Sequence, residues 1–264
     1  MCICESPARP AKPVITDLLF YAAAIPGVIF LGLAKGGFTS VGMIATPLLA
    51  LYVPPLQAAA IFLPILLCQD VISIWTYRHR WSAWNLKVML PGAVIGVGIA
   101  WLLAAHVSDA WVRLAIGLIG LAFSLNAWFG RPPSQTHQPS VIGGVVSGAG
   151  SGFTSTLIQA GAPPFQIFIL PQQLDKLTLV GTSILFFASV NLMKIVPYLA
   201  LGQFTTANLA TSAVLLPLAV AGNFIGIWLV RITPTEVFYR LAYWMVLFIS
   251  IGLLWQGAAD LLRG

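Results

Sequence analysis

The residues best suited to chemistry form one glycine-rich run, Gly32-Leu-Ala-Lys-Gly-Gly-Phe-Thr-Ser40, continuing through Val41-Gly-Met-Ile-Ala-Thr-Pro47. A lysine, hydroxyls and several glycines here interrupt an otherwise apolar sequence. A second run, Ser147-Gly-Ala-Gly-Ser-Gly-Phe-Thr-Ser155, repeats Gly-Phe-Thr-Ser 115 positions later (152 − 37). Helical segments that break at glycines leave N–H groups without intrahelical partners, and with the positive end of the helix dipole these suit an anion. Hydroxyls add donors, and Lys35 adds a formal positive charge. In a soluble enzyme such a loop would cradle a phosphate. In a membrane protein, two glycine-broken segments at matching positions of two halves point to a substrate site. The substrate-binding candidates are therefore Lys35, Gly36, Gly37, Thr39, Ser40, Gly150, Gly152, Thr154 and Ser155. For each glycine singly, close helix packing through small residues is an equal alternative.

A second constellation could couple transport to another ion. Asp70, Ser73 and Tyr77 fall at i, i+3 and i+7, hence on one helical face, and Asn191, Lys194 and Tyr198 repeat that spacing 121 positions on (191 − 70). A carboxylate and an ammonium inside apolar segments are costly and imply function with a partner. Asp70, Asn191 and Lys194 are the coupling candidates, with a Lys194–Asp70 pair across a pseudo-two-fold weighed against snorkelling of Lys194 to the interface. Asp109–Arg113 and Glu236–Arg240 read as helix-start acids with i,i+4 arginines. His79, His106 and His137 have no metal-ligand spacing, so no metal or cofactor is expected. Cys68 reads as a small buried hydrophobe.

The elements that carry these residues follow from composition. Of 264 residues 59% are hydrophobic and 8% charged, too few charges to cover a soluble surface. The chain reads as an all-α polytopic membrane protein in contact with the lipid bilayer. Its net charge of +6, with no long basic run, fits positive-inside loops and excludes nucleic acid. Residues 1–13 form a polar tail, 14–130 a first transmembrane repeat, 131–139 a linker and 140–264 a second repeat. In the first half, Val14 to Leu33 and Phe38 to Val53 make a broken hairpin, followed by spans over Gln57–Tyr77, Leu86–Ala105 and Trp111–Phe129. In the second, Ser140 to Gly150 and Phe153 to Leu170, the latter broken by Gly161-Ala-Pro-Pro164, are the hairpin, followed by Lys176–Leu199, Phe204–Val230 and Val237–Trp255. Three crossings after each hairpin is an odd number, so the two repeats should be inverted. Trp81, Trp84, Trp111, Trp128 and Trp255 near segment ends read as an interfacial belt.

Gly32-Leu-Ala-Lys-Gly-Gly-Phe with Thr46-Pro47, the run Pro54-Pro55-Leu-Gln-Ala-Ala, and the echo at Gly148–Pro164 together resemble the TauE/SafE family of sulfite exporters. The resemblance extends from about Val14 to Trp255. It implies a bacterial inner-membrane permease of two repeats that moves sulfite or a small organosulfonate outward. No cofactor follows from it. Proton coupling and a homodimer stay open, as does the choice of anion. The sequence departs from the glycine-rich pattern at Lys35, Ser151 and Ala162. Two other classes compete: an anion channel, and a membrane lipid-pyrophosphate phosphatase. The phosphatase chemistry wants paired intramembrane glutamates, whereas the glutamates here, Glu5 and Glu236, lie outside the spans.

Overall fold

The structure is a computed structural model that describes residues 18–50, 52–53, 55–103, 109–129 and 139–263. The expected tail (1–13) and all but the last residue of the expected linker (131–139) lie outside the described residues. Every regular element among the described residues is helical. The first half gives α1 (Leu18–Gly36), a 3₁₀ segment (Thr39–Ile44), α2 (Ala45–Ala50), α3 (Pro55–Tyr77), α4 (Ala83–Leu103) and α5 (Asp109–Phe129). The second gives α6 (Val141–Ile158), α7 (Ala162–Ile169), a 3₁₀ turn (Leu170–Gln172), α8 (Lys176–Ala200), α9 (Thr206–Ile232) and α10 (Thr235–Arg263). Among the described residues six helices, α1, α3, α4, α8, α9 and α10, are long and apolar enough to cross a membrane. Their outer faces expose large apolar side chains such as Val71, Trp75, Val94, Val214 and Trp255, as lipid contact requires. Cys68 is exposed among them, not buried as expected.

Local signals set the helix ends. The side chains of Ser140, Asp175 and Thr205 accept N–H bonds at the starts of α6, α8 and α9. Gly37, at φ 140°, ends α1 in a conformation that side chains rarely adopt. In the second half the glycine run 147–152 does not break the chain; the break falls directly before and into the Gly161-Ala-Pro-Pro164 run that interrupts the expected Phe153–Leu170 segment. Residues 147–158 stay helical within α6, and the chain breaks only after Ile158, at Gln159 with φ 56°. The glycines of α6 do not break it, because they are used against a neighbouring helix.

That use is visible in two seams. Helix α1 packs along α9, and α6 packs along α4, so each half's first helix lies on the other half's fourth. A Cβ added at Gly32 would lie 2.5 Å from the Gly222 carbonyl carbon, and one at Gly36 would lie 2.3 Å from that of Gly226. In the second seam, a Cβ at Gly148 would meet the Met89 oxygen at 2.1 Å, and one at Gly152 would meet that of Ala93 at 2.5 Å. Small residues permit this backbone approach where no hydrophobic driving force separates helix from lipid. Helices α3 and α8 pack on each other, as do α5 and α10. Arg113 of α5 pairs with Asp260 of α10 at 2.5 Å, reaching across that contact.

Candidate functional site

Two helices end inside the protein, α1 at Gly36 and α6 at Ile158, and their last carbonyls must find partners there. Helix α3 serves the first. Ser73 Oγ lies 2.9 Å from the Lys35 carbonyl oxygen, and Tyr77 donates to that of Gly36 at 2.9 Å. Helix α8 serves the second: Lys194 Nζ reaches the Ser155 carbonyl at 3.4 Å, and Tyr198 donates to that of Thr156 at 3.4 Å. The repeated i, i+3, i+7 face is thus a capping face for a broken helix.

These equivalent contacts fix a spatial register. Lys35 corresponds to Ser155 and Gly36 to Thr156, 120 positions apart (155 − 35), whereas the Gly-Phe-Thr-Ser identity sits at 115. The tetrapeptides occupy different places: residues 37–40 are the break after α1, and 152–155 are helical, within α6.

The coupling candidates lie together, but not in the expected pairing. Asp70 is 3% exposed, and its Oδ1 accepts from Lys35 Nζ at 2.5 Å while Oδ2 accepts from Asn191 Nδ2 at 2.8 Å. Lys194 does not pair with Asp70. It is fully buried, and its ammonium donates to Gln159 Oε1 (2.7 Å) and Ser155 Oγ (3.1 Å) as well as to the Ser155 carbonyl. The reason is the broken helix: Lys194 occupies the capping position equivalent to Ser73, which directs it at α6. Nor does it snorkel. Lys35, in turn, sits in the last turn of α1, where a cation meets the negative end of the helix dipole. It is a salt-bridge partner, not a free charge.

A cavity of about 70 Å³ opens between the two breaks, lined by both halves. Of the substrate-binding candidates, Lys35, Thr39 and Ser155 line it, with Asn191 of the coupling set. The others are turned to structure. Gly36 and Gly152 face the seams, and Gly37 faces Val230, where a Cβ would stand 2.7 Å from Cγ2. Gly150 packs on Pro164. Ser40 donates to Gln166 Oε1 at 2.6 Å, joining the two broken segments. Thr154 Oγ1 lies between the carbonyls of Gly150 (2.8 Å) and Ala160 (2.9 Å). The N–H groups after α1 are also engaged: Gly37 bonds to the Ala34 carbonyl, Phe38 to that of Leu33 and Val41 to that of Phe38. Free backbone N–H groups at Gly37, Phe38 and Val41 are therefore not what the fold provides.

What the fold does provide is side-chain polarity. Around the cavity stand two ammonium groups, Lys35 and Lys194, and one carboxylate, Asp70, a balance of one positive charge. Thr46, Gln159 and Ser183 line the cavity too, and sequence reasoning passed over their roles. Thr46 belongs to the motif but was overshadowed by Pro47, and Gln159 announces itself only as the last polar residue before Gly161.

A multi-pass helical bundle with a buried, mostly neutral cavity and an excess cation has the build of a solute transporter. The sequence matches the family sulfite exporter TauE/SafE over residues 24–253, and the chain belongs to that family of membrane transporters of sulfur compounds. Neither a curated protein nor a solved structure matches it.

Proposed function

We propose that this protein is a secondary transporter that exports a small sulfur oxyanion, sulfite or a short organosulfonate, across a bacterial inner membrane. The observation that carries this reading is the cavity between the two helix breaks, whose surrounding charged side chains leave one positive charge unbalanced. An anion entering it restores neutrality in a medium where an uncompensated charge is expensive. Lys35, Thr39, Ser155 and Asn191 meet the anion, and the motif glycines hold the backbones that present them. Membership of the sulfite exporter family supports the substrate class and the direction.

The two halves are related by inversion. The exchange of packing partners, α1 on α9 and α6 on α4, together with the matched capping faces, supports a two-fold relation. Alternating access then follows from rocking one half's elements against the other's around the cavity. Proton coupling falls to Lys194 in preference to Asp70, because both Asp70 oxygens are already occupied by Lys35 and Asn191 while Lys194 has only neutral acceptors.

The test is flux into proteoliposomes of purified protein. Saturable sulfite uptake, accelerated by sulfite inside the vesicle, is expected, and Lys194→Met abolishes it. Flux that rises linearly with concentration and shows no counterflow would identify a channel. For the inversion, cysteines introduced at residues 79 and 202 are expected to react from opposite sides of the membrane. Labelling from the same side overturns it.

A further inference from the structure

We propose that Thr46 and Gln159 join the residues named above in holding the transported anion, supplying hydrogen bonds to its head group, and that this anion carries a single negative charge. The proposal rests on the reading of the cavity as the transport site. Thr46 is 4% exposed, lines the cavity, and its Oγ1 makes no hydrogen bond. Gln159, on the same cavity, is half-buried as a residue, but its Nε2 is shielded from solvent and without a partner. Buried polar atoms are hydrogen-bonded in the great majority of cases, so two orphans on one cavity, each able to donate, mark a place kept for an acceptor.

Gln159 has a further property. Its Oε1 accepts from Lys194 Nζ at 2.7 Å, so the amide stands between the buried ammonium and the cavity. A hydrogen bond received at one end of an amide strengthens the donation at the other. Lys194 does not itself line the cavity. With Ser155, whose Oγ also accepts from Lys194, Gln159 carries the influence of that charge to the cavity.

The number of charges follows from the same cluster. Lys35 and Asp70 cancel each other at 2.5 Å, leaving Lys194 alone. A monoanion, such as a monosulfonate or sulfite in its hydrogensulfite form, brings the cluster to neutrality. A dianion would leave one negative charge buried without a partner, which is strongly unfavourable away from water. The remaining walls, Leu31, Phe62, Leu66, Ile184 and Phe187, are apolar and suit a hydrocarbon substituent on the head group.

The test uses the full-length protein in detergent, with ethanesulfonate, 1,2-ethanedisulfonate and sulfite as probes, read by calorimetry and by thermal unfolding without ligand. Wild-type protein is expected to bind ethanesulfonate at least about tenfold tighter than the disulfonate. Thr46→Val is expected to weaken ethanesulfonate and sulfite about five- to tenfold, with the unliganded unfolding temperature unchanged or higher, since the hydroxyl removed has no partner in the fold. Thr46→Ser, which keeps the hydroxyl, restores the affinity. Gln159→Glu places a carboxylate on Lys194 and removes the donor, so binding falls by about a hundredfold or more while the protein stays folded. Wild-type affinity in Thr46→Val, or a disulfonate bound as tightly as the monosulfonate, overturns this proposal and leaves the transport reading standing. Absence of both binding and flux with every probe, sulfite included, overturns the transport reading and this proposal together.

Discussion

The ends of α1 and α6 are the same piece of architecture with different chemistry. In each, a long helix stops inside the protein, and two side chains one turn apart on a neighbouring helix cap its last carbonyls. At the first end the caps are the hydroxyls Ser73 and Tyr77, with an ion pair, Lys35–Asp70, beside them. At the second the caps are Lys194 and Tyr198, and Ser155 and Asn191 are neutral where the first end has Lys35 and Asp70. What the two ends share is what a broken helix needs in a membrane. What they do not share is charge: the first end is balanced, and the second carries one unbalanced cation. The common part is scaffold, and the asymmetric part is where the proposed ligand would be recognised.

That division predicts opposite outcomes for the two lysines. Lys35→Ala leaves Asp70 buried beside Asn191 alone, and breaking a buried pair from one side costs about 3–5 kcal/mol. The Lys35→Ala, Asp70→Ala double variant recovers most of that loss. Lys194→Met removes a buried cation that has no carboxylate partner, so the gain in desolvation offsets the lost caps, and stability changes by less than about 2 kcal/mol. Its anion binding is lost nonetheless. Unfolding in detergent and calorimetry on the same samples read both. A Lys194→Met protein as unstable as Lys35→Ala would break the comparison, because both ends would then be scaffold.

The seams give the next largest effect and apply the comparison to packing. Gly36→Ala and Gly152→Ala each force a methyl group against backbone atoms of the facing helix, at 2.3 Å and 2.5 Å. Backbone cannot swing aside as a side-chain tip can, so each is expected to lose about 1–3 kcal/mol. Gly98, with nothing within 4 Å of a built Cβ, is the control, and Gly98→Ala is neutral or slightly stabilising. Equal effects at all three positions would show that the seams are not close packed.

Much of this could be read in the sequence, for reasons that also explain the failures. Long apolar runs reveal spans because lipid demands them, and the Asp70, Ser73, Tyr77 echo at Asn191, Lys194, Tyr198 is legible because a capping face needs a fixed helical spacing. The partner of Asp70 was not legible. It depends on which residue of α1 lies opposite α3, and that is set by tertiary packing. The Gly-Phe-Thr-Ser identity misled for a physical reason: small residues recur wherever backbones must touch, so they matched a seam on α6 to a break after α1. Thr46 and Gln159 were hidden because an unpartnered atom is a property of the fold, and a residue type alone does not disclose it.

The smallest predicted effect tests the shared scaffold itself. Tyr77 and Tyr198 each donate to a carbonyl in the last turn of a broken helix, and Tyr→Phe deletes only that bond. The two bonds are not equal: Tyr77 to the Gly36 carbonyl is 2.9 Å, and Tyr198 to that of Thr156 is 3.4 Å, near the limit at which a hydrogen bond weakens. The neighbouring cap differs as well. Beside Tyr77 the Lys35 carbonyl has only the Ser73 hydroxyl, whereas beside Tyr198 the Ser155 carbonyl faces the ammonium of Lys194. A charged donor leaves the second end better held when its tyrosine is lost. Tyr77→Phe is therefore expected to cost about 1–1.5 kcal/mol and Tyr198→Phe about 0.5 kcal/mol or less. Unfolding curves separate these values, and hydrogen exchange localises them, with faster exchange expected at Gly37 and Phe38 in the first variant and little change at Ala160 in the second. In a Lys194→Met background the order is expected to narrow, because the second end then relies on its tyrosine. If Tyr198→Phe proves the costlier change in the wild-type background, the ammonium is not capping α6, and the assignment of Lys194 to both scaffold and charge fails.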